Sequence, residues 1–169
     1  MNNFEIFDNV LPKQDFLKIK NLMYESQFPW FFSKNITYEG ENNNDMFYMT
    51  HTFLNNSKKL QHSNFLQNIS PIIDKIDEKC DIKCIIRIKG NLYPNQGKMI
   101  IHNNHKDYEY KHKGALFYIN TNNGFTILNN KTKIDSVENR LLLFDPHIEH
   151  CSTSCTDAQA RININFNFF

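Results

Sequence analysis

The stretch RININFNFF, residues 161–169, alternates with a period of two. In an extended strand successive side chains point to opposite faces. Ile162, Ile164, Phe166 and Phe168 therefore share one face, and Arg161, Asn163, Asn165 and Asn167 share the other. A strand so apolar on one side belongs in the middle of a protein, yet its second face carries only polar groups. A polar lumen enclosed by strands resolves the conflict. A planar guanidinium at the head of that face suits bidentate capture of a carboxylate.

Working back from this strand, short strand-like runs recur as far as residue 84. They are CIIRIKGNLYP, KMIIHNNH, GALFYIN, GFTILNN, KTKIDSV and RLLLFDP, with Asn, Gly and Asp turns between them. Upstream, residues 4–10 (FEIFDNV) read as a strand. Residues 12–25 read as a helix, with Pro12 where a helix start tolerates it and Phe16, Ile19 and Met23 at helical spacing. Residues 28–32 (FPWFF) are expected to cap the core with aromatic rings, and residues 38–45 (YEGENNND) to form a mobile loop at the mouth. Residues 46–54 (MFYMTHTFL) read as a strand. Phe65, Ile69, Ile72, Ile73 and Ile76 mark one helix face, with a break and restart at Ser70-Pro71. The expectation is an α+β protein, one domain over 1–169, with helical support mostly in 1–83 and a closed β core mostly in 84–169. A sandwich, a barrel or a jelly-roll-like β-helix would satisfy this order.

Composition agrees with a single core. The chain has 169 residues, 40% hydrophobic and 14% aromatic, with fifteen Phe. The formal charge is +1, so the basic footprint of a nucleic-acid binder is absent, and nucleic acid is disfavoured as a partner. The locally basic HKDYEYKHK, residues 105–113, reads as a solvated loop, its part from Tyr108 to Lys113 flanking the mouth. No apolar run approaches the ~20 residues of a membrane span. MNNFEIFDNV has neither the basic nor the apolar region of a secretory signal, so the cytoplasm is the expected compartment, that of the host for a viral source. Abundant Asn, Ile, Lys and Phe match AT-rich codons, as in a virus or a streamlined bacterium. Cys80/Cys84 and Cys151/Cys155 are spaced more loosely than most zinc-binding pairs and are expected to be ordinary reduced thiols.

Two further features carry chemistry. His105-Lys106-Asp107 follows KMIIHNN, and residues i and i+2 of an extended segment can converge on one ion. His150 stands where RLLLFDPHIEH turns out of its strand, eleven residues before Arg161. Two imidazoles and one carboxylate on one face form the triad of non-haem Fe(II) oxygenases and leave coordination positions open. His147, fourteen residues before Arg161, competes with His150, and His102 is a weaker rival of His105 because Asn104 follows it at the second position.

These positions resemble the 2-oxoglutarate/Fe(II)-dependent oxygenases, in particular the prolyl-4-hydroxylase-like branch with its phage and marine relatives. The family pattern of H-x-D, a distal His and an Arg about ten residues later is met by His105, Asp107, His150 and Arg161. GALFYIN resembles the strand whose tyrosine, here Tyr118, helps to hold the distal carboxylate of 2-oxoglutarate. NLYPNQG resembles the segment whose tyrosine, here Tyr93, stands near the metal end. Gly124-Phe125-Thr126 lacks the second glycine of the family's turn, which puts the register of the next strand in question. The resemblance spans residues 84–169 and is looser before them.

The resemblance implies a double-stranded β-helix (jelly-roll, cupin-like) with N-terminal helices packed on one sheet. It implies Fe(II), 2-oxoglutarate and O₂, with ascorbate as reductant, and hydroxylation of an unactivated C–H bond. The presence of Asp107 points to hydroxylation over halogenation. A prolyl residue of a peptide or protein is the expected substrate, with a free amino acid or other small molecule close behind. The alternatives are a non-catalytic cupin-like module that binds a metal or ligand, and a viral structural jelly roll. The first has no use for Arg161 and Tyr118, and the second treats all four polar residues as coincidence.

Overall fold

The computed structural model describes residues 4–36, 47–57 and 60–169; the expected loop at 38–45 lies outside them. In chain order the elements are β1 (Phe4–Phe7), α1 (Lys13–Tyr24), β2 (Phe31–Ser33), β3 (Tyr48–Asn55) and β4 (Gln61–His62). A single 3-10 turn, Leu66–Ile69, leads directly into α2 (Ser70–Cys80). Strands follow: β5 (Ile85–Pro94), β6 (Lys113–Tyr118), β7 (Phe125–Leu128), β8 (Thr132–Asp135), β9 (Arg140–Phe144), β10 (His150–Ser152) and β11 (Ala160–Phe168).

β11 lies antiparallel between β5 and β6, near the middle of a major sheet ordered β1-β9-β6-β11-β5-β3-β2, with β4 also paired to β3. A minor sheet holds β7 between β10 and β8. Every named pairing is antiparallel. The result is a mostly β, jelly-roll-like fold with two helices.

The two faces of β11 part as the alternation requires. Ile162, Ile164, Phe166 and Phe168 join one apolar cluster with Phe16, Ile19 and Met23 of α1 and Ile72 and Ile76 of α2. Within that cluster the Phe16 ring meets Phe117 edge-on, with centroids 6.2 Å apart. Gly90 lets β5 lie close beneath the same layer: a Cβ there would stand 3.3 Å from the Phe53 ring and 3.4 Å from Met23 and Trp30. A second cluster of Leu116, Tyr118, Leu142 and Phe144 with Leu128 and Ile134 joins the major sheet to the minor one. The lumen between the sheets is where the polar face of β11 looks.

Several sequence expectations hold at the level of residues. Pro71 sits in the first turn of α2, where its missing N–H costs nothing, so the break at Ser70-Pro71 is a helix start after the 3-10 turn. Asn129 and Asn130 take φ of 51° and 55°, as a mirror-image hairpin turn needs, and close β7 onto β8. The absent second glycine leaves β7 in unbroken register with both neighbours through Thr126.

Two expectations are corrected. KMIIHNNH forms no strand; it meets the chain around β10 through the isolated bridges Ile101↔Thr153 and His105↔His150 and through the His102 N–H donated to the Ser152 carbonyl at 2.9 Å. The two bridges are out of register with one another, so no continuous ladder joins them. FPWFF does not cap the core as a unit: Phe28 is buried, but Phe31 and Phe32 are 62% and 65% exposed on the edge strand β2.

Candidate active site

The polar face of β11 sets one end of the site. Asn165 and Asn167 both donate to Oδ2 of Asp107, at 3.1 Å and 2.8 Å. That occupies one carboxylate oxygen and turns the other, Oδ1, toward the two imidazoles. Oδ1 lies 3.8 Å from Nε2 of His105 and 3.9 Å from Nε2 of His150. The two histidines are themselves joined main chain to main chain, with N–H to carbonyl bonds of 2.9 Å and 3.0 Å. Each Nδ1 faces the carbonyl two residues earlier, Asn103 at 3.3 Å and Ile148 at 2.9 Å. An Nδ1–H donated there leaves the Nε2 lone pair directed inward.

The protonation states suit a cation. Burial, helped by neighbouring His150, pushes the His105 pKa down to about 4, so its ring is neutral at neutral pH. Burial alone would raise the Asp107 carboxyl, but His150, Arg87, His105 and Lys89 outweigh it and hold the group below its ordinary value. Two imidazoles, that of His105 neutral, with one carboxylate, ligand atoms all within 4.8 Å, make the donor set of an open transition-metal site. Among the described residues it is the one such group of His, Cys, Asp and Glu.

The rival residues stand elsewhere. His102 is turned to Ser152, its Nδ1 2.8 Å from the hydroxyl, and burial followed by the charge of Arg161 pushes its pKa down to about 3. His147 lies outside the converging group. All four cysteines are free thiols.

Arg161 occupies the opposite end. Its side chain is fully buried, and its guanidinium donates to Ser136 Oγ at 2.7 Å, to Thr126 Oγ1 at 2.8 Å and to the Thr153 carbonyl at 3.3 Å. Tyr118 hydrogen-bonds the same Thr126 hydroxyl at 3.0 Å. The rings of Tyr93 and Tyr118 flank the guanidinium, 5.6 Å and 5.7 Å from its centre. No carboxylate pairs with Arg161 among the described residues; the ion pairs that form in this lumen all go to Asp107. A buried charge without a counter-ion is strongly unfavourable unless a ligand supplies one. Gly124 makes room for this arrangement: a Cβ there would lie 2.6 Å from Arg161 Cδ and 2.6 Å from the Ser154 carbonyl.

A narrow cavity is lined by Tyr93 and Thr126, which meet Arg161, by His105 and His150, which meet Asp107, and by Ser152 and Asn163. Sequence reading singled out His105, Asp107, His150, Arg161, Tyr118 and Tyr93; the fold brings the first three together and sets both tyrosine rings beside Arg161. It missed Ser136 and the hydrogen-bonding roles of Thr126, Asn165 and Asn167. The polar alternation of RININFNFF was the signal for the two asparagines; nothing in the sequence marks Ser136.

No family model matches the chain, and no curated protein matches it. Solved structures do. A prolyl hydroxylase from Trichoplax adhaerens, in complex with a hypoxia inducible factor peptide fragment, superposes with a TM-score of 0.67 over 100% of this chain and 84% of that one, at 17% identity. The viral collagen prolyl hydroxylase of Paramecium Bursaria Chlorella virus-1, in its 2-oxoglutarate complex, gives 0.64 over 98% and 94%, at 14% identity. A Pseudomonas putida prolyl-4-hydroxylase gives 0.63 over 98% and 92%, at 11% identity. This chain therefore has the fold of the prolyl hydroxylases and other 2-oxoglutarate/Fe(II) oxygenases, viral and bacterial ones among them.

Proposed function

We propose that this chain is a 2-oxoglutarate- and Fe(II)-dependent dioxygenase that hydroxylates an unactivated C–H bond, a prolyl residue of a peptide or protein being the substrate class its neighbours suggest. One observation carries the reading: a fully buried arginine, without a counter-carboxylate among the described residues, is bonded to Thr126, which lines the same cavity as His105 and His150 of the convergent His-Asp-His group. The double-stranded β-helix, with α1 and α2 covering the outer face of the major sheet, is the scaffold this reading assumes.

His105, Asp107 and His150 would hold Fe(II), and Arg161 with Thr126 and Tyr118 would hold the C5 carboxylate of 2-oxoglutarate, with Tyr93 beside its chain. Bound Fe(II) supplies activation of O₂ coupled to decarboxylation of the co-substrate, and ascorbate serves to keep it reduced. The chain's own part is to position and to exclude. Asn165 and Asn167 restrain Asp107 to a single coordinating oxygen. Thr126 and Ser136 hold the guanidinium flat toward its ligand. Leu116 and Phe144 line the cavity with apolar surface that keeps bulk water out. A non-catalytic metal- or ligand-binding module is not favoured, because such a module has no need of the buried Arg161.

No helix among the described residues is long and apolar enough to cross a membrane. The cytoplasm is the compartment this reading proposes. The test is titration calorimetry of 2-oxoglutarate with the redox-silent Mn(II) in place of iron. Arg161→Ala should weaken co-substrate affinity by one to two decades, the equivalent of about 1.5–3 kcal/mol for a charge-assisted pair. Arg161→Lys should recover part of the loss, and Tyr118→Phe should lose less. Wild-type protein that takes Mn(II) but no 2-oxoglutarate would end this proposal.

A further inference from the structure

Two cations of the lumen have no place in the scheme above. Arg87 and Lys89 are two residues apart on β5, in register with Asn167 and Asn165 of β11, so both side chains look into the lumen. Lys89 donates to the Tyr48 hydroxyl at 3.1 Å and pairs with no carboxylate among the described residues. Arg87 reaches Asp107 Oδ1 only at 3.5 Å, and its Nε is buried without a partner. The Tyr108 ring lies over the Arg87 guanidinium at 5.2 Å, and the Tyr108 hydroxyl is also buried without a partner.

Charge counting makes the point sharper. Among the described residues the inward-facing ions are Arg161, Arg87 and Lys89 against the single carboxylate of Asp107. Fe(II) and the 2-oxoglutarate dianion cancel one another, so seating both leaves the excess untouched. Neutralising Asp107 before metal arrives accounts for Arg87 alone and leaves Lys89 unexplained. Burial, then the charge of Arg87, lowers the Lys89 ammonium to about 8, still protonated at pH 7 but short of a counter-charge.

Resting on the oxygenase reading, we infer that Arg87 and Lys89 form an anion-recognition site for the primary substrate, and that this substrate carries a carboxylate close to the C–H bond to be hydroxylated. The unpartnered Arg87 Nε and Tyr108 hydroxyl would donate to the same group. Two sources share this chemistry: the α-carboxylate of a free amino acid, and the side-chain carboxylate of a residue beside the target in a peptide.

The test uses the full chain loaded with Mn(II) and 2-oxoglutarate, and reads the paramagnetic broadening of ligand proton resonances. Two matched pairs serve as probes: N-acetylproline with N-acetylprolinamide, and acetyl-Glu-Pro-Ala-amide with acetyl-Gln-Pro-Ala-amide. In one pair or the other the anionic member should bind at least about tenfold more tightly, as a charge-assisted contact implies. The pair that shows the preference identifies the source. Lys89→Met should reduce the ratio toward one, and Lys89→Arg should restore most of it, which a purely structural role for Lys89 would not do. Equal broadening within both wild-type pairs, including none in either, overturns the inference, as does an undiminished preference in Lys89→Met. If wild type binds no 2-oxoglutarate, the oxygenase reading fails first and this one with it; co-substrate binding without an anion preference defeats this one alone.

Discussion

The two faces of β11 are both largely hidden from water, Asn165 alone among the eight residues being half-buried, but they answer to different demands. On one, Ile162, Ile164, Phe166 and Phe168 sit in the apolar cluster with both helices. On the other, Arg161, Asn163, Asn165 and Asn167 line or brace the lumen. Burying apolar surface stabilises the fold by itself, whereas burying amides and a guanidinium is tolerable only when each finds a partner. Asn163 accepts from Asn91 at 3.0 Å, and Asn165 and Asn167 donate to Asp107. One strand thus separates what holds the protein together from what the protein does.

Substitutions should split along that line. The largest effect is expected on the functional side: His105→Ala, Asp107→Ala and His150→Ala should each abolish metal-dependent turnover while circular dichroism stays native. His102→Ala and His147→Ala should keep the metal, and a dead His147→Ala beside an active His150→Ala would move the distal ligand. Next comes the apolar face, where Phe166→Ala should cost about 3–5 kcal/mol in urea unfolding, with Mn(II) affinity of the folded fraction unchanged. A metal affinity that falls with it would blur the division. A smaller, opposite result is expected of Asn167→Leu: a loss of about 10–100-fold in metal affinity with little change in unfolding midpoint.

The smallest effect lies at the exposed end of the polar row, where Arg140 is in register with Tyr118 and is bonded to Asp8. The hydrogen bond from Arg140 holds the Asp8 carboxyl below its usual 3.8. A depressed carboxylate stabilises the fold above its unfolded pKa, and that contribution is lost as pH falls through the folded value. The pair is partly exposed, so Asp8→Asn should cost less than about 1 kcal/mol at pH 7 and nothing measurable near pH 2.

Legibility in the sequence followed the same division. Period-two alternation in RININFNFF is a local property, and it revealed both faces of β11 before any partner was known. His105, Asp107, His150 and Arg161 were legible as candidates because a metal and a carboxylate would each demand particular side chains at constrained separations, and the fold brings the two histidines and the aspartate together. KMIIHNNH misled because its apolar residues satisfy a strand pattern, while the register of its pairing, which decides the matter, shifts between the bridges Ile101↔Thr153 and His105↔His150. Ser136 could not be foreseen, since its bond to Arg161 joins residues that the chain places 25 positions apart. Lys89 was invisible for a related reason: in a chain with balanced charge, a lysine on a strand reads as a solvated one until the opposite sheet is in place.

The two carbonyls that face the Nδ1 atoms of His105 and His150 belong to the main chain of Asn103 and Ile148. A carbonyl is present whatever side chain a position carries, so replacing Asn103 or Ile148 does not remove the group that orients its histidine. The segments that flank the two histidines can therefore drift in sequence, changing what the mouth of the lumen presents to the outside, while the imidazoles keep their aim. On the proposed reading, diversification of substrate choice and retention of a metal would be separable in this chain, because the orientation of both imidazoles is encoded by backbone alone.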